Sequence, residues 1–192
     1  MSQRPMRADA RRNRDRLLAV AAEVFAEQGA EASLEEVAHR AGVGIGTLYR
    51  HFPARDALIE AVYRRYVETL CDAAEELLGQ LPPDEALAAW MQRFVRHVAT
   101  KRGLASALKA VVGKDSELFA YTHERVRGAA GMLLDAAVKT GTVRSDVTPQ
   151  DLIRAMSGIC LATDTGALDD QAGRLVGLLV DGLRYGAPAA GR

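Results

Sequence analysis

Gly46, Thr47, Tyr49, Arg50 and His51 place an uncovered backbone, a hydroxyl, a phenol, a guanidinium and an imidazole within one short stretch. Such groups bond phosphate oxygens or approach base edges in a DNA groove. The chain has no nucleophile–base–acid set, no metal-ligand spacing and no phosphate loop. Its four histidines, His39, His51, His97 and His123, are scattered. No catalytic residue, metal or cofactor is expected. The chemistry on offer is recognition.

Those residues need a scaffold, and the surrounding sequence writes one. Ser33 followed by Glu36 fits a capping box, with each side chain satisfying an amide at a helix start. Leu34, Val37, Ala38 and Ala41 then recur at helical spacing, opposite Glu35, Glu36, His39 and Arg40. Gly42 follows, where a left-handed cap is least costly for glycine. A second helix is expected from about Gly44 to Phe52. Leu48 and Phe52 share its inner face; Gly46, Thr47 and Arg50 fall opposite, with Tyr49 and His51 on the flanks. Two helices joined by a tight glycine turn can insert one helix into the major groove. Helical hairpins are also common without DNA, and an amphipathic surface helix carries Arg and Tyr too. Spacing alone leaves both readings open.

The segment AGVGIGTLYRHFPARDAL, Ala41 to Leu58, resembles the signature of the tetracycline-repressor (TetR) family. There a Gly-Thr-Leu-Tyr run sits in the recognition helix, and an aromatic-Pro-small-basic-acidic stretch opens the next helix. The resemblance covers about Arg11 to Val62. Gly44 stands where a Ser N-cap is usual, and Ile45 where Lys or another polar residue is usual; periodicity places Ile45 near the core flank. The resemblance implies an all-α fold. It divides into a flexible basic arm (1–10), a three-helix DNA-binding domain (11–54) and a helical regulatory and dimerisation domain (55–192). It implies DNA contacts from Ser33, Ile45, Gly46, Thr47, Tyr49, Arg50, His51 and Arg55, with double-stranded operator DNA as partner.

Composition is compatible with this. The 192 residues carry 25 basic and 25 acidic groups, so no global field draws the chain to nucleic acid. Residues 1 to 16 hold six arginines against Asp9 and Asp15, a local excess suited to a phosphate backbone. The apolar run from Leu17 to Ala22 is too short for a secretory core. Leu17, Val20, Ala21, Val24 and Phe25 form a helical stripe instead. No stretch approaches the roughly 20 apolar residues of a membrane span. Cys71 and Cys160 read as structural thiols in a cytoplasmic protein.

Beyond Pro53 a long helix is expected from about Arg55 to Gln80. Helical segments follow near 84–101, 103–113, 115–140, 149–165 and 169–185. Trp90, Phe94, His97, Phe119 and Tyr121 cluster in this half. The family resemblance implies an effector cavity for a small molecule here, whereas an aromatic stripe is also what an ordinary core contains. In the last helix Leu175, Leu178, Leu179 and Gly182 occupy one face, and Val176, Val180 and Leu183 another. With Leu152, Met156 and Ile159 of the preceding helix, the first face would build a two-fold homodimer interface. The expectation is a homodimeric, effector-released repressor. An all-α enzyme, or a DNA-binding protein without a small-molecule effector, is the rival reading.

Overall fold

A computed structural model describes residues 3–29, 31–100, 117–163 and 168–185. All regular structure among them is helical: α1 (Gln3–Gln28), α2 (Leu34–Arg40), α3 (Ile45–His51), α4 (Arg55–Gln80), α5 (Pro83–Thr100), α6 (Glu117–Lys139), α7 (Pro149–Ala162) and α8 (Leu168–Tyr185). The all-α expectation holds. The helix expected at 103–113 lies outside the described residues. Helix α1 starts at Gln3, so the backbone expected as a flexible arm forms its first turns.

The chain separates into two units, dividing between Tyr66 and Val67 inside α4. The first, the head, contains α1, α2, α3 and the opening turns of α4. The α1 stripe is buried as its spacing requires, through Leu17, Ala21, Val24 and Phe25. Against it lie Leu34, Val37 and Ala38 of α2 and Leu48 of α3. The expected boundary after residue 54 cuts this unit short. Leu58, Ile59 and Val62 are core residues, Tyr66 donates its hydroxyl proton to the Ala22 carbonyl at 3.3 Å, and Arg65 meets Asp15 at 3.3 Å. Burial pushes the Tyr66 phenol up to about 12, which keeps that donor protonated.

The second unit, the body, holds the rest of α4, α5, α6 from Phe119 onwards, α7 and α8. Helix α5 packs on α7 and α8, and buries Leu87, Trp90, Met91, Phe94 and Val95. Helix α7 has a full capping box: Asp151 N–H donates to Thr148 Oγ1 at 3.2 Å and Thr148 N–H to Asp151 Oδ2 at 3.0 Å, with Pro149 in the first turn. The end of α8 is tied down by Arg184 to Asp84 at 2.6 Å and by Arg144 N–H to the Leu183 carbonyl at 3.0 Å. Cys71 and Cys160 are both buried and unbridged, and burial pushes the Cys71 thiol up to about 11.

Candidate nucleic-acid interface

The turn between α2 and α3 is closed by backbone alone. Gly42 takes φ +64°, its N–H donates to the His39 carbonyl at 3.0 Å, and Val43 N–H donates to the Ala38 carbonyl at 3.0 Å. This is a Schellman cap, which satisfies the last carbonyls of α2 and needs a left-handed residue. Gly44 is the N-cap of α3 and has no side chain to offer, and Phe52 is its C-cap, in extended backbone before Pro53. Seven residues are too few for a helix stable by itself. Its anchors are Leu48, 0% exposed, and Phe52, 3% exposed. Emptying the Leu48 site would cost roughly 2–5 kcal/mol, so packing rather than propensity holds α3.

That anchoring decides what α3 shows to solvent. Gly46, Tyr49 and Arg50 are exposed, whereas Ile45, Thr47 and His51 are half-buried. Thr47 was expected outward and Tyr49 on a flank; the structure leaves Tyr49 exposed and Thr47 half-buried. Ring contact with Phe52, at 6.3 Å between centroids, accounts for part of the cover on His51.

Ser33 caps α2, accepting from Glu36 N–H at 3.3 Å and donating to Glu35 Oε2 at 2.8 Å. The hydrogen bond from Ser33 is the main reason the Glu35 carboxyl sits below its usual range. The expected reciprocal cap from Glu36 is replaced: its carboxylate takes Arg40 Nε at 2.7 Å, while Arg40 Nη1 reaches Glu27 of α1 at 2.8 Å. Those two carboxylates, Glu36 foremost, raise the Arg40 pKa. Arg55 was expected at a phosphate. It is half-buried, and its Nη1 donates to the Ala32 carbonyl at 2.6 Å, bracing the loop that carries Ser33. Sequence reasoning counted Arg14 only among the N-terminal arginines and missed its packing, with the guanidinium 5.3 Å over the Phe52 ring. Its position one turn before Leu17 on α1 was the available signal.

The body's candidate residues divide differently. Trp90 is 0% exposed and its indole N–H donates to the Leu70 carbonyl at 2.8 Å; Phe94 packs on it at 5.9 Å. Trp90 is therefore a satisfied core residue. Phe119 is buried and Tyr121 half-buried on α6; the His97 side chain lies outside the described residues. Thr122, beside Tyr121, buries a hydroxyl with no hydrogen-bond partner among the described residues. On the expected dimer surface, Leu152 and Met156 need correcting. They are 1% and 0% exposed, because α7 turns its Leu152–Met156–Cys160 face into the subunit's own core. The outward apolar side chains are Leu178, 69% exposed, and Leu161, 85% exposed and not anticipated. Leu175, Leu179 and Ile159 are half-buried, and Gly182 is exposed.

Among the described residues no helix is long and apolar enough to cross a membrane, and no group of His, Cys, Asp and Glu could hold a metal ion. Residues 17–62 match the bacterial regulatory proteins of the tetR family, and residues 82–185 the C-terminal domain of SbtR-like transcriptional regulators. The chain is similar in structure to a TetR transcriptional regulator from Streptomyces coelicolor. Identity is 46% and TM-score 0.81, over 92% of this chain and 99% of that one. A TetR regulatory protein from Mycobacterium vanbaalenii is 38% identical with TM-score 0.76, over 94% and 99% of the two chains. In sequence, the HTH-type transcriptional repressor KstR2 of Rhodococcus jostii is 27% identical, over 70% of this chain and 69% of its own length.

Proposed function

The chain belongs to the TetR family of transcriptional regulators, which are not enzymes, and on that premise we propose that it is an effector-released repressor binding a near-palindromic operator as a homodimer. The observation that carries this reading is the division of α3 into a buried face and an exposed one. Leu48 and Phe52 lock its inner face, and Gly46, Tyr49 and Arg50 are left on the outer one. Tyr49 and His51 suit phosphates, and Thr47 and Arg50 base edges. Ser33 adds its hydroxyl at the α2 start, Ile45 lines the flank, and Arg55 holds the loop that positions Ser33. Two copies related by a two-fold axis would read half-sites about one helical turn, or a multiple, apart.

The dimer surface in this reading is the outward face of α7 and α8, centred on Leu161 and Leu178, with Ile159, Leu175, Leu179 and Gly182. Exposed leucines on adjacent helices fit a self-complementary contact.

An effector site beside α6 is supported by Thr122 with Phe119 and Tyr121. Among the described residues the buried Thr122 hydroxyl has no partner, which costs the fold and would be satisfied by a polar group on an otherwise apolar ligand. Thr122→Val should thus leave the unliganded protein as stable or up to about 1 kcal/mol more stable in urea. A loss would show that the hydroxyl is satisfied in solution. Release also requires that the effector bind the non-operator form better, since equal affinity shifts nothing. Incubating the purified protein with genomic fragments and screening compounds for release tests the whole proposal. Failure to retain any fragment above random DNA would refute it.

A further inference from the structure

Three glycines fall between residues 42 and 46, and the fold has a use for only two of them. Gly42 takes the left-handed conformation that the turn demands. Gly44 sits at the N-cap of α3 with φ −71° and ψ 149°, where glycine is among the tolerated capping residues. Gly46 is different. It lies in the first turn of α3 with helical neighbours on both sides, and there glycine is among the least favourable residues for a helix. A Cβ placed on it would meet nothing within 4 Å. Neither conformation nor crowding among the described residues calls for the missing side chain, and alanine would suit the backbone better.

The space over Gly46 is not an isolated gap. Tyr49 and Arg50, three and four residues on, are exposed and share its face. A long phenol and a long guanidinium can touch DNA from a distance. A glycine on the same face makes contact only if the backbone itself comes close. Recognition helices contact bases chiefly through their N-terminal residues, which is where Gly46 lies.

We infer that Gly46 is a clearance for DNA: the helix is seated so deeply at this point that its Cα meets the nucleic acid, and one methyl group would hold it off. The inference rests on α3 being the operator-reading element. It carries a consequence that a neutral surface glycine would not. Substitution at residue 46 should change fold stability and operator binding in opposite directions.

The probe is a duplex selected by the wild-type protein from a random-sequence library. Gly46→Ala should melt at the wild-type temperature or about 2 °C above it, yet bind the selected duplex roughly tenfold more weakly, the scale of one good base contact. Gly46→Leu should bind more weakly still while keeping its fold. Binding of the alanine variant within about twofold of wild type would overturn the inference. So would a melting temperature several degrees lower, because the fold would then need the glycine. If the wild type selects no duplex, the DNA-reading proposal itself fails and takes this inference with it. That outcome is distinct from a wild type that binds beside an unimpaired alanine variant.

Discussion

Helices α3 and α8 follow one plan and end in opposite chemistry. Each buries one face: Leu48 in α3, and Val176, Val180 and Leu183 in α8. Each leaves the other open. On α3 the open face carries Gly46, Tyr49 and Arg50; on α8 it carries Leu178, 69% exposed, flanked by Leu175 and Leu179. The buried faces are alike because both must be held by packing. The open faces differ in which surface would cover them. Polar, hydrogen-bonding groups complement phosphates and base edges, whereas exposed leucines in water are stabilised only by another apolar surface. The head is thus chemically suited to DNA and the body to a second copy of itself.

The sharpest way to break this contrast is to charge the apolar face. Leu161→Glu combined with Leu178→Glu should convert dimers to monomers in sedimentation. It should weaken operator binding by roughly a hundredfold or more, since linked half-sites are then lost. A persistent dimer would remove α7 and α8 from the interface. On the opposite face, Arg50→Ala should cost about 1–3 kcal/mol of operator binding and relax specificity. An equal loss on random DNA would reassign Arg50 to the backbone.

Smaller effects test how each face is held in place. Gly42→Ala puts a side chain at φ +64° and should destabilise the head by about 1–2 kcal/mol in urea. Thr148→Ala removes one half of the α7 cap and should cost about 1 kcal/mol. It also sets a pH signature. The hydrogen bond from Thr148 is the first reason the Asp151 carboxyl sits below its usual range. A carboxyl lowered on folding adds stability above the unfolded value near pH 4, and that stability is lost as pH falls through the folded value. The wild type should therefore lose more stability below about pH 4 than Thr148→Ala does. Parallel acid profiles would contradict the cap's role.

The fold class and the helix–turn–helix were legible because their signals are local. The Leu17–Phe25 stripe, the Gly42 cap and the Leu48–Phe52 pair each depend on residues a few positions apart. What escaped was set by distance in sequence. Arg55 reaches the Ala32 carbonyl and Arg40 reaches Glu27, and spacing within a helix reveals neither partner. The Leu152 and Met156 assignment failed for a related reason. Periodicity gave the apolar stripe of α7 but not whether it faces inward or outward, and α5 decided that. Leu161 was overlooked because a single leucine off the main stripe carries no periodic signal.

The most direct measurement is footprinting of the purified protein on genomic fragments, with wild type and Arg50→Ala compared at one salt concentration. Two protected half-sites related by a two-fold axis are expected, centred about one helical turn or a multiple apart, with protection lost in the variant. A single unpaired footprint, or protection unchanged in Arg50→Ala, would contradict that expectation.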